Sequence, residues 1–262
     1  MKKIIPIIVA LMALVIIALL FNGFTDASDN SAKAIPDEFS IFYSCDTRGH
    51  IEPCGCTSGM EGGIRRRSYF LSNNLAENYI LVDAGDVAAG PRQWELLELE
   101  YILKGYDLMG YHAVNIGHRE ISISYEEMIK LKEKYPKFVS ANVIGPEGKP
   151  VFAPYLNGSK CGIIGVADDN LTSDQMGRDI KVVDPVDAIS NYLPELKSKC
   201  SLVVLLAFAD TQKMKALADQ FFEIDVIVGG KVLQASGKPI MQNKSAIVFN
   251  TGKGKSLGRL DI

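Results

Sequence analysis

Thiol, carboxylate and imidazole groups gather in a few short segments of this 262-residue chain. Cys54-Gly55-Cys56 sits in a glycine-rich loop, Gly49 to Gly63, directly after Ser44-Cys45-Asp46-Thr47-Arg48-Gly49. Thiols so placed admit three kinds of chemistry. One is a disulfide of Cys45 with Cys54 or Cys56, which an oxidising compartment would sustain. Another is a thiolate metal or redox site joined by Cys45 and His50, although a CxC pair alone falls short of a four-ligand zinc signature. The third is docking to a partner such as an electron-transfer protein. Cys161 and Cys200 each precede an apolar run. If those runs are neighbouring strands, a second disulfide joins their starts. Carboxylates, imidazoles and cations recur in Leu81-Val82-Asp83-Ala84-Gly85-Asp86, Asn115-Ile116-Gly117-His118-Arg119-Glu120 and Val228-Gly229-Gly230-Lys231-Val232-Leu233.

The elements that position these groups follow from hydrophobic patterning. Phe39 to Tyr43 reads as a buried strand ending at Cys45-Asp46, and Tyr79 to Val82 as a strand stopped by Asp83-Ala84-Gly85-Asp86. Trp94 to Met109 has helical spacing, with Gly105 as a break. Ala113 to Ile116 is a strand, Ser124 caps a helix through Tyr135, and Phe138 to Asn142 is a short strand. Strands then alternate with helices: Cys161–Ala167, helix 187–196, Leu202–Phe208, helix 211–222, Ile224–Val228, Ala246–Asn250 and Leu257–Ile262. That alternation predicts an α/β domain, with the candidate groups just past strand C-termini, where such folds bind ligands. Arg65-Arg66-Arg67 at a helix start reads as a solvated basic face, and Gly252-Lys253-Gly254-Lys255 as a turn lacking phosphate-loop spacing.

Seven of these pieces, in order from about Phe39 to Ile262, resemble the periplasmic 5′-nucleotidase branch of the calcineurin-like metallophosphoesterases. They are Asp46-Thr47-Arg48-Gly49, Gly62 to Arg67, Asp83 to Asp86, Gly105 to Glu120, Ser140-Ala141-Asn142, Ile224 to Gly230, and Gly252 to Leu260. The resemblance implies a sandwich of two facing mixed sheets flanked by helices. It also implies chemistry in which two divalent cations neutralise phosphate charge and activate a water.

In that frame Asp46 matches the first aspartate ligand, Asp86 the bridging aspartate, and His118 stands at an asparagine ligand. The other ligand positions are substituted: Arg48, Arg119, Phe208, Lys231 and Leu233 stand where the family carries histidines, and Ser122 where it carries an aspartate. Three of these changes introduce fixed cations. Arg48, Arg119 and Lys231 are expected to take over the metals' electrostatic role beside Asp46 and Asp86. The expected cofactor is none, or a weakly bound divalent metal at Asp46, Asp86 and His118. Structural aspartates capping loops are the plainer reading of Asp46 and Asp86, as is a hydrogen-bonded loop histidine for His118.

Composition bounds the rest. A formal net charge of −3 gives no basic field for nucleic acid. Met1-Lys2-Lys3 precedes an apolar run from Ile4 to Phe21, long enough for one transmembrane helix with the remainder outside. The expected organisation is a signal anchor at residues 1–22, a linker at 23–36 and a metallophosphoesterase-like domain at 37–262. A cleaved signal peptide is the alternative, with Ala32-Lys33-Ala34 as the small-x-small site. The leading expectation is an exported, membrane-anchored cell-envelope protein with a ligand-depleted site, acting as a binding or assembly component with an envelope protein as partner. A hydrolase using one metal, and a thiol-based redox or metal-binding protein, are the competing readings.

Overall fold

The computed structural model describes residues 38–53, 59–158 and 160–262. The expected anchor and linker, and Cys54 and Cys56, lie outside the described residues. Among the described residues no helix is long and apolar enough to cross a membrane.

Two mixed sheets form the framework. The first has the order β13-β1-β2-β3-β4, built from β1 (Ser40–Ser44), β2 (Tyr79–Asp83), β3 (Ala113–Asn115), β4 (Phe138–Val139) and β13 (Gly258–Asp261). Its strands are parallel except for β13, which runs antiparallel to β1. The second has the order β11-β12-β10-β9-β7-β6, from β6 (Tyr155–Asn157), β7 (Cys161–Ala167), β9 (Leu202–Phe208), β10 (Val226–Gly229), β11 (Ile240–Gln242) and β12 (Ser245–Phe249). Strands β7, β9, β10 and β12 are parallel, with β6 and β11 antiparallel at the edges. A small ladder pairs β5 (Val143–Ile144) with β8 (Lys181–Val182).

Alternation along β9 explains the layering. Leu202, Val204, Leu206 and Phe208 point into a core shared with the first sheet. Val203, Leu205 and Ala207 point the other way, against α5 (Pro185–Lys199) and α6 (Thr211–Gln220). A strand buried on both faces reads as an unbroken apolar run, so sequence and structure agree residue for residue on β7 and β9. Over the first sheet lie α1 (Ile64–Asn74) and α2 (Gln93–Met109), followed along the chain by α3 (His118–Ile121) and α4 (Tyr125–Lys134). Gly105 does not break α2; it faces Ile64 of α1, whose Cγ2 would lie 3.0 Å from an added Cβ.

The Cys161–Cys200 disulfide does not form. Cys161 packs in the core between the sheets, whereas Cys200 lies on the outer face and its Sγ donates to Leu196 O at 3.2 Å. Strands β7 and β9 are adjacent, but Cys200 caps the C-terminus of α5, two residues before β9, and its side chain turns to the outer face over Gly162, away from Cys161. Cys45 is likewise a buried thiol, donating to Gly85 O at 3.2 Å, so the expected pairing with Cys54 or Cys56 is not made.

Candidate functional site

The C-terminal ends of the parallel strands meet along one edge. Asp46 follows β1 by two residues, Asp86 follows β2 by three and His118 follows β3 by three; Asp168 follows β7 directly and Lys231 follows β10 by two. Four of the predicted site residues, Asp46, Arg48, Asp86 and Lys231, have left-handed backbone, with φ of 62°, 48°, 57° and 58°. Non-glycine residues rarely adopt that region, and functional loops are where such conformations concentrate. The loops after β1 and β2 are laced together by Asp46 N to Gly85 O (2.8 Å), Arg48 N to Asp86 O (2.9 Å) and Gly49 N to Val87 O (2.9 Å). Gly85, with φ of 114°, lies so close to the loop after β3 that a Cβ there would be 2.8 Å from Gly117 N. Glu120, buried, ties this corner together by accepting from Asp86 N (3.0 Å), Ala88 N (2.6 Å) and Gly117 N (2.8 Å).

Asp46, Arg48, Asp86, His118, Phe208, Lys231 and Leu233, all singled out from sequence, line one cavity of about 280 Å³ together with Thr251. Arg119 lines an adjoining cavity that shares Arg48, Asp86 and His118. Arg48 Nε is paired with Asp46 Oδ1 and lies 4.0 Å from Asp86 Oδ2. Asp46 Oδ2 accepts from Thr251 Oγ1 at 3.1 Å and from Gly252 N at 3.3 Å. Arg119 donates its backbone N–H to Asp86 Oδ1 at 2.9 Å, holds Nε 3.7 Å from Asp86 Oδ2, and donates through Nη1 to Ala89 O.

Lys231 behaves differently from expectation. It pairs with Asp168 Oδ2 at 2.5 Å, a carboxylate that sequence reading missed, and not with Asp46 or Asp86. Asp168 directly ends the apolar run of β7, and that position was the available signal. His118 turns the same way: its Nε2–H donates to Asp168 O at 3.3 Å and its ring meets the edge of Phe208. His50 bonds Arg48 O through Nδ1 at 2.9 Å and does not line the cavity. His112 accepts from Leu81 N at 3.0 Å, a structural contact away from the cavity.

Burial sets the protonation of these groups. Desolvation, with the charge of Asp46 adding to it, pushes the Asp86 carboxyl up to about 6 against the opposing backbone bond from Arg119 and the charges of Arg48 and Arg119. Burial and then the charge of Asp86 push Glu120 up as well. Burial and the neighbouring Lys231 ammonium push His118 below its ordinary value, so its imidazole is neutral at pH 7. Burial also raises Asp168, but the Lys231 hydrogen bond, the Asn170 backbone bond and the Lys231 charge outweigh it and leave that carboxyl below the ordinary range.

A second charged centre supports the loop from below. Arg67, expected on a solvated face, is buried. Its guanidinium donates to Tyr106 Oη (2.8 Å), Tyr111 Oη (3.0 Å), Thr47 Oγ1 (3.3 Å) and Gly254 O (3.3 Å). Tyr106 Oη and Ser44 Oγ in turn donate to Asp83 Oδ2 at 2.9 Å and 2.5 Å. The network reaches Thr47 and Gly254, which bracket the residues that hold Asp46.

No protein-family model matches the chain. It is 27% identical over 244 residues to the NAD 5′-nucleotidase of Haemophilus influenzae, covering 84% of this chain and 40% of that enzyme. It is 25% identical over 215 residues to the 5′-nucleotidase of Rattus norvegicus, covering 74% of this chain and 37% of that one. The 5′-nucleotidase precursor of Thermus thermophilus superimposes with a TM-score of 0.73 at 25% identity, covering 86% of this chain and 51% of its own. The chain is a homologue of the 5′-nucleotidases. Its fold is that of their calcineurin-like N-terminal domain. It spans about 40% of the length of the curated relatives it matches.

The metal pair of 5′-nucleotidases does not fit the donors present here. Among the described residues no three His, Cys, Asp or Glu side chains converge as a metal group. Both oxygens of Asp46 and both of Asp86 face donors or cations supplied by the protein, and His118 is aimed at a backbone carbonyl. A divalent ion would have to displace the Arg48 guanidinium and would then sit beside Arg119. Asp46 and Asp86 face Arg48 and Arg119, and Asp168 is paired with Lys231, so each of these carboxylates has a side-chain cation beside it.

Proposed function

We propose that this chain is an exported, membrane-anchored domain of 5′-nucleotidase fold that binds or assembles within the cell envelope and does not hydrolyse phosphate esters. The observation that carries this reading is the occupation of both metal-site aspartates by Arg48, Arg119, Thr251 and Gly252. Hydrolysis in this fold relies on a metal-generated nucleophile and on metal charge at the phosphate. Guanidinium groups supply charge but no nucleophile. The apolar run from Ile4 to Phe21 supports anchoring, and extraction of the protein by alkaline carbonate would refute it.

The one-metal hydrolase is the less supported alternative, because His118 is turned from Asp86 toward Asp168. The thiol reading loses Cys45, whose thiol is buried and pushed well above its ordinary pKa by desolvation and then by the surrounding carboxylates. The test is turnover of 5′-AMP, NAD and a generic aryl phosphate by purified protein with added manganese, magnesium or zinc. The proposal expects none above buffer. Hydrolysis that Asp86→Asn abolishes would overturn it.

A further inference from the structure

We infer that the cleft between α1 and the turn at residues 252–257 is a binding site for a small amphipathic anion, an oxyanion head on an apolar body. The inference is independent of the function proposed above, because the cleft shares no lining residue with the two cavities around Asp86. Its volume is about 410 Å³, within the ~300–1,000 Å³ of small-molecule sites. A close backbone approach forms its floor. Gly62, with φ of 77°, leads the chain toward α1, and a Cβ there would lie 2.8 Å from both Gly254 O and Lys255 Cα. Glycine is what lets these two segments meet. One wall is α1, which presents Arg66 and Phe70 one helical turn apart. Lys255 and Leu257 stand on the other. Each wall therefore offers one cation and one apolar side chain.

The cations here keep donors to spare. Arg66 donates through Nη1 to Met60 O and makes no ion pair among the described residues. Lys255 Nζ lies 3.9 Å from Oε2 of Glu61, an exposed side chain and the single acid lining the cleft among the described residues. Buried Arg67 also lines the cleft. Its two Nη atoms make all of its hydrogen bonds, which leaves the Nε–H without a partner among the described residues. With Arg67 set against Asp83, Arg65, Arg66, Lys253 and Lys255 still cluster in sequence around one glutamate, in a chain whose net charge is −3. Such a local field draws an anion, and guanidinium and ammonium groups bind oxyanions through charge-assisted hydrogen bonds. An inorganic ion would leave the apolar side of the cleft wet. Met60 and Phe70 are 44% and 47% exposed, and covering them and Leu257 rewards an apolar body joined to the charged head.

The test is calorimetric titration of the full chain, held in phosphatidylcholine nanodiscs, with 2-naphthoate, with empty discs as the blank. The inference expects one saturable site per chain. Arg66→Gln/Lys255→Gln should weaken binding about tenfold or more by removing charged donors. Phe70→Ser should weaken it as well, and both variants should melt as the parent does, since these side chains are exposed. 2-Naphthamide lacks the charge, and acetate and inorganic phosphate lack the apolar body, so each should bind at least about tenfold more weakly. Displacement of naphthoate by dihexanoyl-phosphatidylglycerol and not by decanoate would support the site with a lipid head group as its ligand. Displacement by decanoate alone would support it with a free carboxylate. No saturable binding of naphthoate, binding that the double variant leaves unchanged, or equal binding of naphthamide or inorganic phosphate would overturn the inference.

Discussion

Replacing Arg67 with methionine is the perturbation whose size the structure defines best. Methionine keeps much of the side-chain volume but removes the guanidinium from a wholly buried site. Five hydrogen-bond acceptors, Tyr106 Oη, Tyr111 Oη, Thr47 Oγ1, Gly254 O and Ser44 Oγ, lose their donor. The larger loss is electrostatic. Asp83 is buried, desolvation already raises its pKa, and Arg67 is the charge that offsets this. Removing one partner of a buried ionic group costs about 3–5 kcal/mol. That is a fifth or more of a total stability of about 5–15 kcal/mol. Asp83 can escape part of the penalty by taking up a proton, so the loss should be smaller at pH 5 than at pH 8. Urea unfolding followed by circular dichroism at both pH values measures this. The double variant Arg67→Met/Asp83→Asn should recover at least about 1 kcal/mol of the single variant's loss at pH 8. A loss below about 1 kcal/mol, equal at both pH values and without recovery, would refute the claim that Arg67 neutralises Asp83 through Tyr106.

Other consequences are equally direct. Asp86 has a folded-state pKa of about 6, above its unfolded value, so the folded state binds more protons between the two values and stability falls as pH rises through that window. The contribution is about 3 kcal/mol, and Asp86→Asn should flatten the stability profile between about pH 4 and pH 6 relative to the parent protein. Gly165→Ala would place a Cβ 2.5 Å from Asn115 Oδ1 and 2.6 Å from Val139 O, between the two sheets, and should lower stability by about 1–3 kcal/mol in thermal unfolding. In a Cys54→Ser/Cys56→Ser variant, Cys45, Cys161 and Cys200 should resist Ellman's reagent in native buffer and react in denaturant. Burial raises the first well above its usual pKa and the second to about 12, and the third is buried too.

The fold was legible wherever side-chain period and burial coincide. Cys161–Ala167 and Leu202–Phe208 are apolar without interruption because both their faces are covered, and neither end is ambiguous. The segment order placed Asp46, Arg48, Asp86, His118 and Lys231 just past strand C-termini, and one cavity gathers them from both sheets. What sequence could not supply was direction. Strands β7 and β9 are neighbours, the condition set for a Cys161–Cys200 disulfide, but Cys200 closes α5 and turns its thiol to the outer face. Lys231 was matched to Asp46 and Asp86 because those aspartates were known; its partner Asp168 carries no motif of its own. Arg67 was read as solvated because it sits among Arg65, Arg66 and Arg67 at a helix start. Helical spacing turns only the third of these inward, where Tyr106, Tyr111 and Asp83 converge from distant parts of the chain. A buried cation whose partners are long-range leaves almost no local trace.

The central claim, that side-chain cations stand in place of the metal pair, is tested most directly by titrating divalent manganese into metal-free protein and into Arg48→Ala/Arg119→Ala by isothermal calorimetry. The account predicts no stoichiometric binding to the parent protein and measurable binding once the Asp46 and Asp86 carboxylates are released. Tight, stoichiometric binding by the parent protein that Asp86→Asn abolishes would contradict it.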